Sequence, residues 1–191
     1  MAKRLIALLF ILLLAGQLLA ENVAGTGPVP YNYRVIDGRI HAGGHPLNPV
    51  TGFSNTDQQV LAILNYLKSK NVLIIVDLEN TGWIQDRYQK LIDKAGMKRL
   101  HIPLNSVRVP NQAEWQRIRQ ALNGPVYIHC KWGADRTGMV IARYLVEEKN
   151  YTPEAAYNAV VTGGKYAGPF GGFKKIPTNI LLKRFIYQGP K

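Results

Sequence analysis

The chain has 191 residues, 47% of them hydrophobic and 19% charged, enough for one domain with a proper core. Its 24 Lys and Arg against 12 Asp and Glu give a net charge of +12, which favours anionic substrates or membrane surfaces. Nucleic acid fits less well, since no stacking platform or recognised binding motif accompanies the charge. The one cysteine, Cys130, excludes an internal disulfide.

In chain order, Lys3 and Arg4 precede an apolar run from Leu5 to Ala15, and the run ends at Gly16-Gln17-Leu18-Leu19-Ala20 before Glu21-Asn22. This is the organisation of a secretory signal peptide, with cleavage expected after Ala20 and a periplasmic or secreted product. Gln17 stands where a lipoprotein would need cysteine, and the stretch is short for a membrane span, although an uncleaved anchor stays open. Residues 21–32 read as an extension and 33–191 as a single domain.

Asp37-Gly38 suits the tight turn of a hairpin over Val35 to Ile40. Thr56 caps a helix from Asp57 to Lys70, with Val60, Leu61, Leu64 and Leu67 on one face. Val72 to Leu78 is an apolar run rich in β-branched residues and interrupted only by Asp77, as a strand buried on both faces would be. A helix over Ile84 to Ala95 stops at Gly96, and a short strand covers Leu100 to Leu104. Asn111-Gln-Ala-Glu114 opens a helix to Leu122 in the manner of a capping box. Val126 to His129 is the next buried strand, and a helix follows from Thr137 to Lys149. Thr152-Pro153-Glu154 starts another helix. Gly163-Gly164, Gly168-Pro169 and Gly171-Gly172 mark a long flexible segment before a last helix over Thr178 to Tyr187. The alternation predicts an α/β domain with a mixed, largely parallel sheet flanked by helices.

The run Val126-Tyr-Ile-His-Cys-Lys-Trp-Gly-Ala-Asp-Arg-Thr-Gly138 reads as strand, tight loop and helix start. Such a loop turns several backbone N–H groups toward one point and favours an anion there. Arg136 adds a planar fork able to hold two phosphate oxygens. The same positive surroundings favour Cys130 as a thiolate able to attack phosphorus.

His129, Cys130, Gly133, Arg136 and Thr137 stand as H-C-x2-G-x2-R-[ST]. This resembles the active-site loop of the cysteine-dependent protein tyrosine and dual-specificity phosphatases. Ala42-Gly-Gly-His-Pro46 resembles an R-S-G-Q-P stretch of compact members, and Val72 to Leu78 their V-I-D-L-R strand, with Glu79 in place of its Arg. The resemblance covers roughly residues 33 to 165 and comes nearest to small secreted or periplasmic bacterial tyrosine phosphatases. It implies a dual-specificity-phosphatase-like fold, with Cys130 as nucleophile and Arg136 with the loop amides of Lys131, Trp132, Gly133, Ala134 and Asp135 as phosphate binders. Thr137 would hydrogen-bond the departing sulfur, its bland alternative being a helix N-cap, and His129 would orient the loop. Lys131 and Trp132 flank the mouth, where Lys131 could meet a second phosphate and Trp132 an aryl ring.

In that family an Asp on a mobile loop protonates the leaving oxygen. The corresponding stretch here, Ile102-Pro-Leu-Asn-Ser-Val-Arg-Val-Pro110, holds no carboxylate, and Val107 falls near the expected position. Asp135, in a D-R-T sequence shared with some relatives, is the expected general acid. Bracing of the loop is the other reading of Asp135, and Glu114 is a second candidate that fits a cap better.

The expected function is an exported phosphatase of phosphotyrosine or dual specificity that forms a cysteinyl-phosphate. The alternatives are a phosphoinositide, phospholipid or inositol-phosphate phosphatase, or a non-catalytic phosphate-binding pseudophosphatase. The expected partner is a phosphorylated envelope protein or an anionic phosphorylated small molecule or lipid, with membrane-surface association open and a monomer expected. No metal or other cofactor is expected, because His41, His45 and His101 show no ligand spacing with carboxylates.

Overall fold

The computed structural model describes residues 24–161, 172–173 and 179–190. The expected signal peptide, and the glycines at 163, 164, 168 and 171, lie outside the described residues.

Asp37 and Gly38 both take positive φ (55° and 69°) in a turn closed by Arg39 N donating to Ile36 O (3.3 Å), and a three-residue connection that includes Arg39 folds β1 (Arg34–Ile36) back on β2 (Ile40–Gly44). Thr56 and Gln59 form a capping box at the start of α1 (Asp57–Ser69). Then come β3 (Ile74–Asp77), a 3₁₀ turn over Gly82–Ile84, α2 (Gln85–Lys94) and β4 (Lys98–His101). Asn111 and Glu114 make the second capping box, opening α3 (Gln112–Ala121) before β5 (Val126–Cys130) and α4 (Asp135–Glu148). Thr152 caps α5 (Pro153–Val160), and α6 (Ile180–Gln188) ends the described chain.

The strands form one five-stranded sheet in the order β1-β2-β5-β3-β4. Only the edge strand β1 is antiparallel, so the expected mixed, largely parallel α/β sheet is present. Alternation along β5 divides the core. Val126, Ile128 and Cys130 face a cluster that includes Val76, Trp115, Ile118, Met139, Ile141, Leu182 and Phe185, so α3, α4 and α6 cover that side. Tyr127 faces Val60, Ile63 and Leu67 of α1 and Tyr88, Leu91 and Ile92 of α2 on the other. Each large apolar side chain buried in this way contributes about 1.5–3 kcal/mol.

Parallel pairing sets the carboxyl ends of β2, β3, β4 and β5 on one edge, where their outgoing loops gather. Open α/β sheets bind ligands at that edge.

Several boundaries differ from the sequence reading. The strand expected over 72–78 spans only Ile74–Asp77, with Leu73 exposed, and β4 lies earlier than expected, over Lys98–His101. Sequence hydrophobicity placed β4 too late because Arg99 is buried there by its ion pair with Asp77 of β3. The helix expected from Thr137 begins at Asp135. Ala134 therefore holds the N-cap position, and Thr137 is not a cap but a buried first-turn residue. The last helix starts at Ile180 rather than Thr178, a residue outside the described ones.

Candidate active site

β5 delivers Cys130 to the carboxyl edge of the sheet, and residues 131–134 carry the chain into α4. The carbonyls of this turn are engaged from outside it. Lys131 O accepts from His45 N (3.3 Å) and Asn48 Nδ2 (2.9 Å). Trp132 O and Gly133 O accept from Asn32 Nδ2 at 3.2 and 3.3 Å. A planar trans peptide sets its N–H opposite its C=O, so the amides of Trp132, Gly133 and Ala134 turn inward. Those of Asp135, Arg136 and Thr137 lead α4, whose first internal bond runs from Gly138 N to Ala134 O (2.6 Å). The result is a cradle of amides for an anion. Gly133 must be glycine: its φ is +67°, and a Cβ there would stand 2.2 Å from Gly43 C and 2.6 Å from Gly44 N.

Arg136 is fixed from the neighbouring strands. Its NH1 donates to Leu78 O (3.0 Å) and Leu104 O (2.9 Å), and its NH2 to Glu79 Oε2 (2.9 Å). Glu79 is itself buried and held by Thr81 N and Thr81 Oγ1 at 3.0 and 2.6 Å. Although burial opposes it, the charges of Cys130 and Glu79 leave Arg136 with a raised pKa, so it is a permanent cation.

Cys130 is buried and free. Thr137 Oγ1 is buried with no hydrogen-bond partner among the described residues. Asp135 accepts from Asn179 Nδ2 (2.8 Å), which ties the start of α4 to that of α6. Lys131 Nζ sits over the Phe53 ring (5.2 Å), Phe53 meets the exposed Trp83 edge-on, and Trp132 packs edge-on against Tyr31. Val107 is 79% exposed at the tip of its loop. Glu114 is committed to its capping box and to Arg108.

His129 is buried beneath the loop, with Nε2 3.1 Å from Tyr88 Oη and Nδ1 3.6 Å from Asp77 Oδ1. The ligand atoms of His45, Asp77 and His129 lie within 4.8 Å of one another, a cluster that sequence spacing had not shown. Its chemistry does not suit a cation. His45 Nδ1 accepts from Leu47 N (3.0 Å), so the neutral ring carries its proton on Nε2, and Asp77 is already paired with Arg99. Burial pushes both imidazoles well below the ordinary histidine range, each helped by a neighbour, His129 for His45 and Arg99 for His129.

Sequence alone gave no sign of Asn32 or Asn48 and marked Glu79 only as a replacement for an Arg. Asn32 lies just outside the stretch of resemblance, and all three act across long sequence separations.

Gly133→Ala must move the loop off Gly43, and misplacement by about 1 Å costs roughly 10²-fold. Calorimetry should show tungstate binding weakened by about that factor while circular dichroism stays native. The histidines make a second expectation. Both are neutral when folded, but the unfolded chain takes up protons below about pH 6.5, so stability is present above that pH and lost as pH falls. Urea denaturation should show about 2–3 kcal/mol lost between pH 7.5 and 5.5, and His45→Gln should roughly halve the loss. A pH-independent stability over that interval would contradict the buried neutral rings.

Comparison with known proteins agrees with this geometry. The family described as "Polymorphic toxin system, DSP-PTPase phosphatase" matches residues 52–150, just over half of the chain. Dual specificity protein phosphatase TpbA of Pseudomonas aeruginosa is 27% identical over 165 residues, covering 84% of this chain and 71% of that protein. Phosphatidylglycerophosphatase and protein-tyrosine phosphatase 1 of Mus musculus is 27% identical over 135 residues, 67% of this chain and 65% of that protein. The crystal structure of PTPMT1 superposes with a TM-score of 0.55 at 25% identity, over 81% of this chain and 93% of that one. A loop that aims its amides inward around Cys130 is thus found in a chain that belongs to the DSP-PTPase family of phosphatases, enzymes that hydrolyse phosphomonoesters.

Proposed function

We propose that this chain is an exported phosphatase of phosphotyrosine and dual specificity that works through a cysteinyl-phosphate intermediate. The outward engagement of the 131–133 carbonyls carries the reading, because it leaves the amide cradle open around Cys130 beside the fixed Arg136. Cys130 Sγ attacks phosphorus in line, the bond to the leaving oxygen breaks, and Asp135 gives that oxygen a proton. Arg136 and the amides of residues 131–136 hold the three non-bridging oxygens as charge builds on them. Water then attacks phosphorus, Asp135 takes its proton, and phosphate leaves as the Cys130 thiolate is restored. Thr137, with its unpartnered buried hydroxyl, donates to the departing sulfur.

Asp135 is chosen because the loop that would carry the acid has none and Glu114 is engaged at its cap. Phosphotyrosine is favoured by TpbA, whose crystal structure was determined with that ligand, and by the aromatic wall of Phe53 and Trp83 next to Lys131. Export rests on the signal-peptide pattern of residues 1–20, which precedes an extension at 21–32 and the single catalytic domain at 33–191. Among the described residues no helix is long and apolar enough to cross a membrane. A second reading, a phosphoinositide or phospholipid substrate, is favoured by the +12 charge and by the complex of PTPMT1 with PI(5)P.

Cys130→Ser should abolish hydrolysis of p-nitrophenyl phosphate while still binding tungstate, and retained turnover would refute the thiolate mechanism. Asp135→Asn should hardly affect p-nitrophenyl phosphate, whose leaving group needs no proton, but should slow phenyl phosphate roughly 10²–10⁴-fold. Glu114→Gln should change neither ratio. Equal slowing of both substrates by Asp135→Asn would make Asp135 a brace. A higher kcat/KM for phosphotyrosyl peptides than for phosphoinositides would favour the first reading, and the reverse order the second.

A further inference from the structure

We infer that Arg34 is a positioning residue of this site: a second arginine, set into the sheet beneath the phosphate loop, that braces the loop and favours Cys130 as its thiolate. The inference rests on Cys130 being the nucleophile proposed above.

Strand register places Arg34. It pairs with Ala42 of β2, which pairs with Ile128 of β5, so these side chains share one face of the sheet. Cys130, two residues beyond Ile128, is on the same face. The methyl of Ala42 leaves room for a long neighbour. Arg34 NH1 donates to Asn32 O (2.9 Å), so the side chain runs back along β1 toward the carboxyl ends of β2 and β5. There Gly44 N donates to Tyr31 O (2.7 Å), and Gly44 pairs with Cys130. The guanidinium therefore lies level with Cys130, with β2 between them. Asn32, whose carbonyl Arg34 holds, is the residue whose amide fixes Trp132 O and Gly133 O.

Among the described residues no carboxylate pairs with Arg34. Its Nε and NH2 are buried and have no hydrogen-bond partner in the structure. An arginine on an edge strand is ordinarily a solvated guard against pairing, but such a residue is exposed at its tip. The carboxylates near Cys130 are committed elsewhere: Glu79 at the end of β3 to Arg136, Asp77 of β3 to Arg99, and Asp135 of α4 to Asn179. The other charged side chains nearby, Arg136 of α4 and Lys131 of the loop, are cations, and the histidines below are neutral. Burial keeps the Tyr127 hydroxyl neutral, so Cys130 is the acidic group left for Arg34 to face. Burial draws Arg34 down to about 10, and the charge of Cys130 is the largest effect opposing that fall, so the guanidinium stays protonated at neutral pH.

Because Cys130 is the sole cysteine, its alkylation by iodoacetamide can be followed without ambiguity from pH 5 to 10. Unit charges two strand spacings apart, about 10 Å, change an ionisation equilibrium by roughly tenfold at intermediate dielectric. Arg34→Met should therefore alkylate about tenfold more slowly at pH 6, with the rates converging near pH 10. The acid side of the kcat/KM profile should fall in step, and Arg34→Lys should restore most of both. Arg34→Gln keeps a donor for Asn32 O without the charge and should behave as Arg34→Met does, so it decides the matter if the methionine variant does not fold. A folded Gln or Met variant with an unchanged alkylation profile would overturn the inference. The nucleophile reading fails separately, through activity surviving in Cys130→Ser, a result that leaves the alkylation profiles untouched.

Discussion

The site depends on a backbone contact: the loop after β5 lies against Gly43 and Gly44 of β2 so closely that no side chain fits between them. That approach brings the Lys131 carbonyl to His45 N and Asn48 Nδ2, and it sets Gly133 at positive φ. Asn32 completes the frame at Trp132 and Gly133. Once the carbonyls are committed outward, peptide planarity decides where the amides go. The anion cradle is thus a consequence of what surrounds the loop, and β5 can supply it only because β2 and β3 flank it on both sides.

Around this frame the buried charges are arranged in a graded way. Arg136 is neutralised by Glu79 and held by two backbone carbonyls, so its fork is fixed before any substrate arrives. Arg99 and Asp77 satisfy each other one layer further in, and the histidines there avoid charge altogether. A buried cation with a partner costs little reorganisation when an oxyanion binds, which is the condition for electrostatic stabilisation to act on the transition state.

The motif from His129 to Thr137 was legible because its parts are adjacent in sequence and each has a chemical meaning at its spacing. The capping boxes at Thr56 and Asn111 and the Asp37-Gly38 turn were legible for the same local reason. Failures came where tertiary contacts overrule local pattern. Lys98 and Arg99 look like loop residues, yet Arg99 is drawn into β4 by Asp77 and by the Tyr88 ring at 5.1 Å. Glu79 registered only as a departure from a family strand, because its partner Arg136 is 57 residues away. The start of α4 at Asp135 was hidden since Ala134, at φ −102° and ψ −97°, makes no side-chain cap. Here the amides that a cap would satisfy take no side-chain cap.

The loop after β4 holds no carboxylate, and its own contacts close it up. Asn105 and Arg108 bridge each other, Val107 N donates to Asn105 Oδ1 (2.9 Å), and Arg108 reaches back to Pro103 O and on to Glu114. Leu104 O meanwhile holds Arg136 (2.9 Å). A segment closed on itself at one end and anchored to Arg136 at the other is built to position that arginine, not to swing a carboxyl into the site. With Val107 at its exposed tip, the loop carries no acid to swing. The nearest carboxyl along the chain is then Asp135, and the hydrogen bond from Asn179 fixes its orientation. On the mechanism proposed above, α6 would support the acid just as β2 supports the cradle, and the C-terminal helix would become part of the catalytic apparatus rather than a cover on the sheet.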